Sequence, residues 1–136
     1  MSKIKLEVWK PEGLMIDAEF DQVVVPGSEG DFGVLPDHTP FITKLRPGVV
    51  LGVNGEKHSR WAVHDGFVTV EDNVVRIACE VAENAVDIDT ARAHEAQKRA
   101  EERLRVKTED TDFRRAEAAL HRAVARIHAV QGESEL

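Results

Sequence analysis

The chain has 136 residues, of which 32% are charged and 42% hydrophobic, and a net charge of −7. That length suits one ordinary domain or a small domain with an appendage, and the composition is that of a globular chain, not a disordered one. No apolar run approaches the roughly 18–20 residues of a membrane-spanning helix, and the single cysteine, Cys79, excludes an internal disulfide or a thiolate metal cluster.

The first 86 residues read as short strands broken by turn residues. Ile4, Leu6 and Val8 alternate with Lys5 and Glu7, which gives one buried and one wet face. This pattern begins at once, without a secretory apolar stretch, so the expected setting is the cytosol or the cytosolic side of a membrane. Pro11-Glu12-Gly13 turns the chain before Leu14–Phe20, and Gln22–Val25 runs into Pro26-Gly27. Val49–Val53 is followed by Asn54-Gly55, a strong hairpin signal. Trp61–His64, Phe67–Val70 and Val74–Val81 follow, separated by Asp65-Gly66 and Glu71-Asp72-Asn73. Strands of this length, with turns every 8–12 residues or so, predict a β-sandwich of two packed antiparallel sheets or a flattened barrel. Cys79 falls in an apolar strand, where core packing explains it.

Between these strands, Gly30–Pro40 has the glycines and prolines of a rigid, irregular loop that would hold Phe32 and Leu35 near the surface. A well-made sandwich turn and a partner-binding edge explain it equally well.

From Asp87 the pattern becomes helical. Ala93, Ala96, Ala100 and Leu104 form one stripe, and Phe113, Ala116, Leu120, Ala123 or Val124, and Ile127 form another. Lys107-Thr108-Glu109-Asp110 separates them, with a helix-start signal near Thr111, so an antiparallel helical hairpin is predicted over residues 87–136. Asp87 or Asp89 would cap the first helix. The tail after Ile127 is expected to lose helix support early. The stripes are mostly alanine, so the hairpin should hold only when docked on something or tied by a ligand.

Residues 1–86 hold 14 acids and 8 bases and carry −6, whereas residues 87–136 carry −1 yet hold 8 of the 11 arginines. The acidic body argues against nucleic acid as a partner. Arg92, Arg99 and Arg103 recur at i, i+7 and i+11, as do Arg115, Arg122 and Arg126. At about 100° per residue each trio lines one helix face. Glu95, Glu101, Glu102 and Glu117 could neutralise the rows as ordinary helix-surface pairs. A solvated face, an anion site and a surface for an acidic partner all remain open on spacing alone. No Gly-rich phosphate loop, nucleophile elbow or zinc-binding helix motif is present, and His121 and His128 lie two turns apart.

Over essentially its full length the chain resembles the epsilon subunit of F-type ATP synthase. The resemblance is carried by Gly30–Pro40 continuing into Leu45-Arg46-Pro47-Gly48, by Asp65–Val70, and by Val81-Ala82-Glu83. It continues in Ile88-Asp89-x-x-Arg92-Ala93 and Phe113-Arg114-Arg115-Ala116. It implies a non-catalytic subunit with a β-sandwich (1–86) and a two-helix regulatory domain (87–136). The sandwich would bind the gamma subunit and stand on the c-ring, peripheral to the cytoplasmic face of a bacterial membrane, with Asp31, Phe32 and His38 as contacts. The hairpin would alternate between a compact form and an extended form that reaches the alpha and beta subunits and inhibits ATP hydrolysis, with Arg115, Arg122 and Arg126 meeting beta. No cofactor would be obligatory. ATP, with or without Mg²⁺, would be a regulatory ligand of the compact form, held by Glu83, Ile88, Asp89, Arg92, Ala93, Arg99, Arg122 and Arg126. Bidentate arginines from both helices on phosphate oxygens would give that ligand its grip.

Overall fold

The computed structural model describes residues 2–106 and 110–132. Eight strands come first: β1 (Ile4–Lys10), β2 (Gly13–Phe20), β3 (Gln22–Gly27), β4 (Gly30–Val34), β5 (Phe41–Lys44), β6 (Gly48–Asn54), β7 (Lys57–Glu71) and β8 (Val74–Asn84). A 3-10 turn, Ala85–Asp87, leads into α1 (Thr90–Arg105), and α2 (Asp110–Gln131) follows. This is the sandwich-then-hairpin architecture that the periodicity predicts. The polar linker expected at 107–110 lies outside the described residues, apart from Asp110.

The strands run in the order β2-β1-β8-β7-β6-β3-β4, with β5 on the second half of β7. One pairing departs from the antiparallel expectation: β1 and β8 are parallel, from Lys5↔Val74 to Trp9↔Ala78. The strand that joins the two layers is β7. Its first half pairs with β6, from Asn54↔Lys57 to Gly48↔Val63, and its second half with β5, from Lys44↔Phe67 to Phe41↔Val70.

The sequence puts a turn at Asp65-Gly66. The structure instead makes it a bend within one strand, because the ladder with β8 runs from Trp61↔Asn84 through Gly66↔Cys79 to Glu71↔Val74. Trp61 and Val63 face the core before the bend, and Val68 and Val70 face it after, so the inward set changes parity there. Asp65 takes φ 58 to allow this. A Cβ on Gly66 would stand 2.0 Å from the Ala78 carbonyl oxygen, so only glycine fits.

Other turns follow their residues. Asn54 pairs with Lys57 across a two-residue loop in which Gly55 takes φ 60 and leads, and at the β7–β8 turn Asp72 and Asn73 both have positive φ (51 and 63). The Gly30–Pro40 segment is less irregular than expected. Its first half is β4, paired with β3 from Val23↔Val34 to Gly27↔Gly30, and β5 follows at once. Phe32 is half-buried against the core and meets Phe41 edge to face, ring centroids 5.2 Å apart, whereas Leu35 is exposed as expected.

Ile4, Leu6, Val8, Val23, Val25, Val50, Val63 and Ile77 form a single fully enclosed core inside the sandwich. The hairpin has nothing comparable. Among the described residues its buried ones are Ala93 and Ala100 on α1 and Ala116, Ala123, Ala125, Ile127 and Ala129 on α2, while Phe113 stays exposed. The α2 helix packs on β6 and β7, and α1 packs chiefly on α2. Ala129 joins Val49 and Ala62 in a small second cluster with Ala85 and Ile88 beside it. This docking corrects the expectation for the tail. The helix continues to Gln131 because its last turns are covered by the sandwich, and it stops at Gly132, which takes φ 78.

Candidate functional site

Asp89 opens α1. Its side chain accepts from the Arg92 backbone N–H at 3.2 Å, which satisfies one of the helix's free amides and sets the first turn. From that start Arg92 and Arg99 lie on one face, two turns apart. Across from them α2 supplies Arg126, the end of β8 supplies Glu83, the 3-10 turn supplies Asp87, and Ile88 follows it. Together with Asp89, Ala93, Glu95 and Ala96 these residues line an open cleft of about 550 Å³ at the junction of hairpin and sandwich.

The helices are antiparallel, since Arg92 and Arg99 share this cleft with Arg126 while Arg103 and Val106 share another groove with Asp112 and Arg115. The two arginine rows therefore do not converge along their whole length. Of the eight residues expected to hold a nucleotide, Glu83, Ile88, Asp89, Arg92, Ala93, Arg99 and Arg126 line the cleft. Arg122 does not. It lies one turn, about 6 Å, along α2 from Arg126.

The electrostatics are balanced rather than strongly positive. Four carboxylates (Glu83, Asp87, Asp89, Glu95) face three guanidiniums (Arg92, Arg99, Arg126). Arg126 Nε donates to Glu83 Oε1 at 2.6 Å, both groups partly exposed. This pair connects α2 to the end of β8. An incoming phosphate would have to share or displace Glu83 to reach Arg126 fully, while among the described residues the guanidiniums of Arg92 and Arg99 have no ion-pair partner.

The contact residues expected on the sandwich are more enclosed than their sequence suggests. The Asp31 side chain is 8% exposed and accepts from Arg46 Nη2. The pair lies in a groove of about 400 Å³ whose other wall is α2, through Leu120, His121, Val124, Ala125 and His128. In the sequence Arg46 is only part of the Leu45-Arg46-Pro47-Gly48 motif, and a partner 15 positions away leaves no local signal. The His38 ring nitrogen Nδ1 lies 2.6 Å from the Thr39 carbonyl, and the Asp37 N–H donates to Asn73 Oδ1 at 2.6 Å. The 35–40 loop is thereby pinned to the β7–β8 turn.

Burial pushes the Cys79 thiol up to about 11, which leaves almost no thiolate near neutrality and fits a packing role. Among the described residues no group of three or more His, Cys, Asp or Glu side chains is placed to hold a metal ion, and no helix is long and apolar enough to cross a membrane.

Residues 3–85 match the family described as ATP synthase delta/epsilon chain, beta-sandwich domain, and residues 87–131 match its long alpha-helix domain. The chain belongs to the ATP synthase epsilon family. It is 39% identical over 127 residues to the ATP synthase epsilon chain of Desulforamulus reducens, covering 93% of this chain and 96% of that one. With the epsilon chain of Nitratidesulfovibrio vulgaris strain DP4 it shares 45% over 125 residues (91% and 92% of the two chains). With that of Moorella thermoacetica the figure is 43% over 130 residues, 95% and 97% of the two. The fold recurs in a chain of the Euglena gracilis mitochondrial ATP synthase, with TM-score 0.82 at 22% identity over 92% of this chain and 79% of that one. It recurs again in the Tetrahymena thermophila mitochondrial ATP synthase central stalk/c-ring, with TM-score 0.64 at 13% identity over 95% and 97%. Epsilon chains are structural subunits of ATP synthase and not its catalytic subunit, and this chain is one of them.

Proposed function

We propose that this epsilon chain is a central-stalk rotor subunit that joins gamma to the c-ring through its sandwich and restrains ATP hydrolysis through a detachable hairpin closed by ATP. The observation that carries the reading is the junction cleft, where Arg92 and Arg99 of α1 and Arg126 of α2 meet Glu83 and Asp89. Guanidiniums from both helices on one triphosphate would tie α1 to α2 at a place where alanine packing is thin. Asp89 is left to accept from the adenine amino group or the ribose. The compact form would gain RT ln(1 + [ATP]/Kd), with no turnover required. Opened, the same helix face would offer Arg115, Arg122 and Arg126 to acidic residues of beta. Asp31, Phe32 and His38 would serve the gamma and c-ring side, which would put the protein at the cytoplasmic face of a bacterial membrane without crossing it.

A second reading, a constitutive assembly subunit that never senses nucleotide, is favoured by one observation: Arg126 is already neutralised by Glu83, and carboxylates outnumber guanidiniums in the cleft. Calorimetry separates the two. Titration of the isolated chain with ATP, with and without Mg²⁺, should give saturable heat that Arg92→Ala and Arg126→Ala each weaken by about tenfold or more, the scale of one charge-assisted phosphate contact. No heat at millimolar ATP selects the constitutive reading.

A further inference from the structure

The docked α2 has a second attachment to the sandwich, at its carboxyl end beyond Arg126. On β7, Arg60 pairs with Leu51 and Ala62 pairs with Val49, so Arg60 shares the strand face that α2 covers through Ala129. The end of α2 lies on the Arg60 guanidinium: a Cβ built on Gly132 would stand 3.3 Å from Cζ and 3.4 Å from Nη1. His58, two residues back on the same face, has Nδ1 3.3 Å from Arg60 Nη2 and holds the fork in place. Among the described residues Arg60 Nε is enclosed and has no hydrogen-bond partner. A buried guanidinium nitrogen left without an acceptor is costly unless the charge is used elsewhere. Here the use is at hand, since the last four carbonyls of a helix have no intrahelical partner and its carboxyl end carries partial negative charge.

We propose that Arg60 is a positioning residue that latches α2 to the sandwich by its carboxyl end, and so sets how often the hairpin opens when no nucleotide is bound. The latch rests on the reading of a detachable hairpin. It uses different residues from the cleft, because phosphates would act on Arg92, Arg99 and Arg126, whereas Arg60 lies against Gly132, six positions beyond Arg126. Gly132 belongs to the same device. Its φ of 78 ends the helix above the guanidinium, and a side chain there would be strained and would press on Arg60.

The test is amide hydrogen exchange on the full chain without nucleotide, comparing wild type with Arg60→Gln and Arg60→Lys. Core amides of Val63 and Ile77 report global unfolding, and amides of Ala123–Ile127 report hairpin opening. In wild type the α2 amides should exchange faster than the core. Arg60→Gln should speed them by about threefold to tenfold with core amides unchanged, and Arg60→Lys, which keeps the charge, should recover part of the protection. The latch is overturned if α2 opens separately from the core in wild type yet Arg60→Gln leaves its rate unchanged. If α2 in wild type exchanges only at the core rate, the detachable hairpin itself is wrong and the latch goes with it. If Arg60→Gln speeds core and α2 amides alike, Arg60 supports the sandwich and is no latch.

Discussion

The two regions of this chain are held together by different means. The sandwich encloses branched aliphatic side chains almost completely, drawn from six of its strands: Ile4, Leu6, Val8, Val23, Val25, Val34, Val50, Val63, Val68, Val70, Val75 and Ile77. Among its described residues the hairpin encloses alanines and one isoleucine, Ile127. At about 25 cal/mol per Å² of apolar surface, the first core can offset the ordering of its strands, whereas the second needs the sandwich beneath it. The lesson is that the hairpin belongs to the low end of local stability by composition, and that its few specific contacts, Glu83–Arg126 above all, matter more than their number suggests.

The sharpest way to break this comparison is to cut each region where it is strongest. Ile77→Ala, inside the sandwich, should cost about 2–5 kcal/mol in denaturant unfolding, with sandwich and hairpin lost together. A cost below 1 kcal/mol would mean that the core is less tightly packed than its burial implies. Ala129→Asp places a carboxylate in the small cluster beneath α2. Release of α2 should relieve it, so α2 amide protection should vanish while the main unfolding midpoint moves by less than about 1 kcal/mol. Loss of the whole fold in this variant would show that the regions are not separable.

The smallest effect sharpens the comparison through pH. Hydrogen bonds from the Lys3 ammonium, 2.6 Å away, and from the Gly55 backbone N–H, at 2.8 Å, hold Asp21 below the usual carboxylate range. A depressed folded pKa adds stability above the unfolded value, and that stability is lost as pH falls through the folded one. The groups involved lie just before β1, in the β6–β7 turn and between β2 and β3, so acidification through the carboxylate range should lower the sandwich transition. Asp21→Asn should flatten that acid limb and leave α2 exchange at neutral pH alone. An unchanged acid limb in thermal melts would remove Asp21 from the account.

Legibility in the sequence divides by range. Asp89 as a helix cap was readable because a cap is made within three residues, and the Asn54-Gly55 hairpin because a turn is made within four. The alternation in β1 and the alanine stripes were readable because one face of each element is buried and the other is not. β5 was not read at all, and the first half of Gly30–Pro40 did not look like β4. Both are short strands on the outside of β3 and β7, where Phe41 and Ile42 remain exposed and alternation is weak. The single long β7 was hidden for the opposite reason. A strand that passes from one layer to the other must change which side faces the core, so its period-2 pattern breaks at Asp65-Gly66 in the way a turn would break it.

The sequence alone determined that a sandwich precedes a helical hairpin, that the hairpin is poor in apolar surface, and that two arginine rows lie along it. These follow from periodicity and composition, which act over a few residues and need no knowledge of what lies opposite. Only the tertiary structure decided which arginines meet. Antiparallel packing brings Arg92 and Arg99 to Arg126 and Glu83, leaves Arg122 a turn away, buries Asp31 with Arg46 under α2, and sets Arg60 against the end of that helix. Ion pairs and caps of this kind join residues 15 to 72 positions apart, and their partners are chosen by distance in space, which helical and strand spacing by themselves do not contain.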